Sequence, residues 1–243
     1  MVRKGRLMGV GTGPGDPELL TLKAVRAIAE ADVIAFFAKK GANGNGRAIV
    51  DQHVRPGTIE LPLVYPVTVE MDKDGDDYRG AIATFFDASA AAIADHLEEG
   101  RTVAVLSEGD PLFYGSYMHL HLRLATRYEA DVVPGVTAMS GCWSMAGLPL
   151  VQGDDILSVL PGTLAENSLA ERLAGTDGAV IMKVGRNLPK IRRALTTAGK
   201  LEGAIYVERG TMATAAMMPL SARDESPAPY FSIVLVPGWK ARP

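Results

Sequence analysis

The chain has 243 residues, of which 47% are hydrophobic, 22% charged and 6% aromatic, with a formal net charge of −3. That size suits one large or two modest domains, and the balance is that of an ordinary globular protein, which excludes disordered and membrane-embedded classes. Mild acidity argues against a nucleic-acid or membrane-surface binder, the scarcity of aromatic side chains leaves no stacking platform for single strands, and a lone cysteine, Cys142, excludes an intramolecular disulfide.

The apolar run from Leu7 to Val10 gives way to a loop in which glycines recur at 9, 11, 13 and 15, followed by Asp16 and Pro17. Leu22, Val25 and Ile28 then read as one apolar helical face. The stretch predicts strand, tight loop and helix, with Asp16 as N-cap and Pro17 at the first helical position, where its missing N–H costs nothing. The glycines let the backbone turn sharply and approach a ligand; the plainer reading is a tight turn alone. Val33 to Phe37 predicts a second strand, 39–46 a flexible glycine-rich loop, Arg47 to Val54 a short helix, and Ile59 to Leu63 a third strand. A long helix follows from Asp76 to Glu99, closed by Gly100 in the C′ position. Thr102 to Leu106 is a continuous apolar strand of the kind buried on both faces of a parallel sheet. A helix over 115–127 and a strand at Val132 and Val133 complete a five-stranded α/β series, which implies a doubly wound sheet with ligands at the carboxyl ends of its strands.

The second half predicts strands at Ile156–Leu160, Ala179–Lys183, Ala204–Val207 and Phe231–Val236, with helices at Leu164–Leu173 and Leu188–Thr197. From Thr211 to Tyr230 no helical period is present, so a strand-turn-strand ending and a mixed sheet are expected. The fold class is therefore α/β with two domains, 1–135 carrying the parallel sheet and 136–243 the mixed one. With no leader-like segment and no twenty-residue apolar run, a cytoplasmic location is expected.

Three loops follow predicted parallel strands: the opening glycine loop, 107–115 (Ser-Glu-Gly-Asp-Pro-Leu-Phe-Tyr-Gly) and 134–138 (Pro-Gly-Val-Thr-Ala). Carboxyl-end loops of one parallel sheet converge on one crevice. The opening loop fails the dinucleotide fingerprint, because Gly9 and Gly11 are followed by Pro14, and Gly11 and Gly13 by Asp16. No Gly-Lys-Ser/Thr follows it, so it is not a P-loop either. A nucleoside cofactor without a phosphate to cradle, such as S-adenosylmethionine, remains compatible.

The run Gly11-Thr12-Gly13-Pro14-Gly15-Asp16-Pro17-Glu18-Leu19-Leu20-Thr21-Leu22-Lys23-Ala24, then Ser107-Glu108-Gly109-Asp110-Pro111 with Tyr114-Gly115, then Pro134-Gly135-Val136-Thr137-Ala138 with Gly147-Leu148-Pro149-Leu150, resembles the tetrapyrrole (corrin/porphyrin) methyltransferase family in motif and order. Phe36 to Lys40, Gly46-Arg47-Ala48 and Tyr206 to Met212 are most similar to members acting on an early corrinoid intermediate of cobalamin synthesis. The resemblance implies two α/β domains, a homodimer, and S-adenosylmethionine in the cleft between the domains, with no metal. It implies cofactor contacts at Pro14, Gly109, Asp110, Leu112, Thr137 and Ala138 and at main chain near Met182 and Met212. The implied chemistry is methyl transfer to a tetrapyrrole carbon, which rests on in-line positioning more than on a protein nucleophile.

A proton must then leave that carbon, and Glu108, Tyr114 and Asp110 are the candidate bases, with water as another. Asp110 also fits a cap on the turn before Pro111, and Thr137 an N-cap for the helix toward Gly147. The acidic arms of an early corrinoid call for cations, and Lys39, Lys40, Arg47 and Arg79 border the expected trough, with 39–46 as a lid. Ordinary surface solvation is the alternative for each. His53, His96, His119 and His121 lack ligand-spaced partners, and Cys142 reads as a packed thiol. Three classes stand at this point: a methyltransferase, another nucleotide-using enzyme, and a binding protein that keeps the fold.

Overall fold

A computed structural model describes residues 4–66 and 76–238, with the helical backbone alone over 76–79. Contacts divide the chain into two compact units, Met1–Thr137 and Ala138–Pro243.

In the first unit, β1 (Arg6–Gly11), β2 (Val33–Ala38), β3 (Ile59–Val64), β4 (Val103–Ser107) and β5 (Glu129–Val133) form one parallel sheet in the order β3-β2-β4-β1-β5. Four helices pack on it: α1 (Leu22–Glu30), α2 (Asn45–Ile49), α3 (Asp76–Glu98) and α4 (Tyr117–Leu124). The pleat sorts the central strands between two cores. Leu7, Val103 and Val105 face α3 and α4 with Phe85, Ile93, Tyr117 and Leu120. Met8, Val10, Ala104 and Leu106 face α1 and α2 with Ile28, Ile49 and Val50. All five residues of β4 are buried, as its uninterrupted apolar run requires.

The opening helix departs from its expected form. Pro17–Leu19 makes only a 3-10 turn, capped by Asp16, whose carboxylate accepts from the Glu18 amide at 2.9 Å. Leu20 and Thr21 then extend, and α1 starts on its own cap, with Thr21 Oγ1 accepting from the Ala24 amide at 3.1 Å. Leu22 is consequently 77% exposed, and the buried face is Ala24, Ala27 and Ile28. Steps of three fall short of a full helical turn, so Leu22 and Ile28 drift apart around the axis while positions 24, 27 and 28 share one side. The helix expected over 47–54 is likewise divided, into α2 and a 3-10 turn at Asp51–His53. At the end of α3, Gly100 takes φ +81° in the left-handed region that closes helices.

In the second unit, β6 (Leu157–Pro161), β7 (Gly178–Met182), β8 (Ile205–Glu208), β9 (Ala216–Pro219) and β10 (Ser232–Val236) form a mixed sheet in the order β6-β7-β10-β8-β9. β6 and β7 are parallel, β10 runs antiparallel to both β7 and β8, and β9 pairs antiparallel with β8. The segment without helical period supplies β9. Helices α6 (Glu166–Ala174) and α7 (Leu188–Thr197) cover one face through Leu169, Leu173, Ile191 and Leu195. Helix α5 (Ala138–Ala146) covers the other, with Cys142 against Val180, Val207 and Leu235.

Candidate active site

Parallel pairing sets the carboxyl ends of β1, β4 and β5 side by side, Gly11 opposite Ser107 and Val10 opposite Val133. β1 leads to α1 on one face and β4 to α4 on the other, so their loops diverge as at the switch point of an open α/β sheet.

Main-chain groups stitch these loops together. The Thr12 amide donates to the Ser107 carbonyl at 2.9 Å, the Gly109 amide to Gly13 at 2.8 Å, and the Gly13 amide back to Gly109 at 3.4 Å. Asp110 ties in the third loop: its Oδ2 accepts from the Gly135 amide at 3.1 Å and its Oδ1 from the Leu112 amide at 2.9 Å. Asp110 thus caps its own turn and holds a neighbouring loop with the same carboxylate. Backbones approach too closely for side chains here. A Cβ on Gly135 would lie 2.1 Å from the Gly109 carbonyl oxygen, and one on Gly11 would lie 2.6 Å from Gly135.

The opening glycines separate by role. Gly13 and Gly15, at φ +75° and +142°, make the turn, and Gly11 permits the close approach. Gly9 does neither: it lies inside β1, where a Cβ would stand 2.3 Å from the Tyr117 ring. Its expected part in turning toward a ligand is therefore corrected to one of core packing. Tyr117 is fully buried, and burial pushes its hydroxyl up to about 12.

Pro14 and Gly109 are buried within the stitched loops, with Gly109 at φ +67°. Leu112 and Tyr114 are 48% and 46% exposed, and Tyr114 takes φ +55°, an uncommon conformation for a residue with a side chain. Thr137 and Ala138 are half-buried where α5 begins. In the second unit, Met182 ends β7, and Met212 sits in a turn in which its amide donates to the Arg209 carbonyl at 2.9 Å. Around them Lys183, Arg209 and Thr211 also have positive φ, +55°, +48° and +68°. Strain of this kind collects at functional sites.

Glu108 is open to solvent on one side and crowded by protein on the other. Crowding raises its carboxyl above the usual range, with the polar Asn45 side chain and the Gly46 amide nearby favouring the carboxylate. A Cβ on Gly46 would lie 3.9 Å from Glu108 Cγ and 3.8 Å from Thr12 Oγ1, so α2 lies against both strand-end loops.

The expected cations differ in setting. Lys39 and Lys40 are exposed. Arg47 is instead engaged by protein carboxylates: Nη2 lies 2.7 Å from Glu60 Oε1 and Nη1 lies 2.9 Å from Asp51 Oδ1, leaving 14% of the side chain accessible. The Arg79 side chain lies outside the described residues. His119 stacks on Phe86 with ring centroids 4.2 Å apart, and His121 Nδ1 lies 3.1 Å from the Tyr117 hydroxyl. Cys142 is buried, with its thiol pushed up to about 11. Among the described residues, no three His, Cys, Asp or Glu side chains are grouped to hold a metal ion, and no helix is long and apolar enough to cross a membrane.

Comparison with known proteins adds independent findings. The family described as Tetrapyrrole (Corrin/Porphyrin) Methylases matches residues 6–224. Over 239 residues the chain is 68% identical to the Precorrin-2 C(20)-methyltransferase of Sinorhizobium sp, covering 98% of each sequence. Among solved structures, a cobalt precorrin-4 methyltransferase aligns at TM-score 0.71 and 20% identity, covering 96% of this chain and 94% of that one. A uroporphyrin-III C-methyltransferase from Thermus thermophilus, complexed with S-adenyl homocysteine, aligns at 0.64 and 22%, covering 96% and 97%. These two likenesses establish the shared fold.

Proposed function

The chain belongs to the tetrapyrrole (corrin/porphyrin) methylase family, and from that premise we propose that it methylates C20 of precorrin-2, using S-adenosylmethionine, to give precorrin-3A in cobalamin biosynthesis. The observation that carries this reading is the 68% identity, sustained over 98% of both sequences, to a protein of that specificity. The same reading makes the enzyme a cytoplasmic homodimer and its two compact units its domains.

The donor set suits the cofactor. S-adenosylmethionine carries an ammonium and hydroxyls that need acceptors, a carboxylate and adenine that need amides, and an apolar face. The carboxylate of Asp110 keeps lone pairs beyond the two amides it already accepts, since a carboxylate offers about four acceptor sites. Leu112 offers an exposed apolar surface beside it. Pro14, Gly109, Asp110, Leu112, Thr137 and Ala138, with main chain near Met182 and Met212, are the groups assigned to hold it. Bound there, it supplies an activated methyl group on a sulfonium sulfur.

The protein's part is to orient the macrocycle and to accept a proton. Lys39 and Lys40 meet the acidic arms of the substrate, and Arg47 and Arg79 complete the basic border in this assignment. For Arg47 that contact would compete with Asp51 and Glu60. Glu108 takes the proton that leaves C20, with Tyr114 as the second candidate. A carboxyl raised above its usual range is better matched to that task near neutrality.

The test is incubation of the enzyme and S-adenosylmethionine, labelled with carbon-13 in its methyl group, with metal-free and with cobalt-loaded precorrin-2, locating the new methyl by NMR. Label at C20 of the metal-free substrate is the expected result. A product unmodified at C20 removes the regiochemistry, and turnover of the cobalt form alone moves the enzyme to the metal-loaded substrate.

A further inference from the structure

Resting on the reading that the substrate is an acidic tetrapyrrole, we infer that Arg209, just past the carboxyl end of β8, receives a carboxylate arm of that substrate. Its guanidinium is held in place by Glu208, and Glu208 in turn by Tyr206.

The placement follows from the second sheet. β7 and β8 both run antiparallel to β10, so their carboxyl ends lie at one edge, on either side of the start of β10. Glu208 pairs with Ser232 there, and the Arg209 amide donates to the Phe231 carbonyl at 2.8 Å. The turn that follows is fixed on two more sides. The Met212 amide donates to the Arg209 carbonyl at 2.9 Å, and a Cβ on Gly210 would lie 2.5 Å from Cys142 Sγ, so the turn sits flush on α5. Arg209 is thereby next to the main chain assigned to the cofactor. Lys183, Arg209 and Thr211 at this edge all have φ in the left-handed region. Glycine would adopt that backbone without strain, so the strain here accompanies side chains that glycine lacks.

The side chain is oriented by a short relay. Arg209 Nη1 donates to Glu208 Oε1 at 2.8 Å, and the hydroxyl of the fully buried Tyr206 donates to Glu208 Oε2 at 2.8 Å. The Arg223 guanidinium lies over the Tyr206 ring, 5.3 Å from its centroid. A buried hydroxyl thus fixes the carboxylate, and the carboxylate fixes one corner of the guanidinium. The Arg209 side chain is 39% accessible against 20% for Glu208, so the cation is the outer member of the pair. A guanidinium carries five N–H donors, and the pair with Glu208 uses one of them. The others form a fork that matches the two oxygens of a carboxylate. Two observations favour the substrate over the carboxylate of the cofactor. Lys183 and Arg186, both exposed, follow β7 at the same edge, so this edge attracts a polyanion, whereas S-adenosylmethionine carries a net positive charge. Tyr230, directly before Phe231, is 87% exposed and offers a large ring suited to a flat macrocycle.

The experiment titrates metal-free precorrin-2, followed by its absorbance, into protein saturated with S-adenosylhomocysteine, so that binding is read without turnover. It compares the wild type, Arg209→Gln, Arg209→Lys and Arg172→Gln, with thermal unfolding and calorimetric binding of S-adenosylhomocysteine recorded for each. Arg172, an exposed cation in the last turn of α6, controls for the loss of a charge alone. Arg209→Gln is expected to raise the dissociation constant of precorrin-2 roughly tenfold at low salt and less at high salt. Arg209→Lys keeps the charge without the fork and should recover part of that loss. Arg172→Gln should bind as the wild type does, and affinity for S-adenosylhomocysteine should hold throughout. If Arg209→Gln binds precorrin-2 as tightly as the wild type, Arg209 is only the partner of Glu208 and the inference is overturned. An equal loss in Arg172→Gln overturns it too, and so does a loss of S-adenosylhomocysteine binding alone, which would make the cofactor the occupant. The C20 regiochemistry is tested separately by the labelled methyl, and it can fail while Arg209→Gln still weakens binding of the tetrapyrrole. A wild type that binds no precorrin-2 removes the reading of the substrate, and the inference falls with it.

Discussion

Gly9 faces the Tyr117 ring at a distance no Cβ can occupy, 2.3 Å to the nearest ring carbons. Gly9→Ala should therefore cost about 1–3 kcal/mol, measured by urea unfolding, because the buried ring or the central strand must move. Adding Tyr117→Leu should recover part of the loss, since a smaller side chain opens the space. Residues also mark where sequence reading stops. That glycines 11, 13 and 15 make a tight, closely approached loop was legible in their spacing. That Gly9 serves the packing of a distant helix was not, because the demand comes from Tyr117, 108 positions away. The partnership of Asp110 with Gly135 was hidden for the same reason: propensity and spacing report neighbours in sequence, and this contact exists only once strands have been ordered in the sheet.

Among elements, the strands were the most legible, because β-branched and apolar runs of about five residues are too short for a buried helix and suit a pleated, covered surface. The start of the first helix was less so. Asp16-Pro17 and Thr21-Leu22 both satisfy the rules for a helix beginning, and the extended backbone at Leu20 and Thr21 decides in favour of the second. Thr21→Ala is accordingly expected to cost about 1 kcal/mol in urea unfolding, the usual worth of a helix cap. Asp16→Ala, which loosens only a 3-10 turn, should cost less; the reverse order would place the helix start at Pro17. The mixed character of the second sheet was readable from the missing helical period, whereas the insertion of β10 between β7 and β8 was not, since strand order is settled by which faces α5, α6 and α7 can cover.

At the scale of the whole molecule, each unit has its own core, so unfolding can be followed unit by unit. S-adenosylmethionine at about a hundred times its dissociation constant should add about 2.7 kcal/mol to whatever it binds. In a chain of this size that raises an unfolding midpoint by roughly 5–11 °C. Scanning calorimetry should show the whole trace moving if groups near Met182 and Met212 act alongside the first unit's loops, and only part of it moving if those loops act alone. The family, and with it the chemistry, was legible because its signature lies in three loops whose glycines and aspartates are dictated by backbone geometry. The reciprocal hydrogen bonds between Gly13 and Gly109 have a kinetic consequence as well. They join two loops into one rigid piece, so neither can peel back as a gate without unmaking the other. Residues 39–46 lie outside this staple and carry the two exposed lysines, so their amides should exchange with solvent faster than those of the stapled loops, which hydrogen exchange measures.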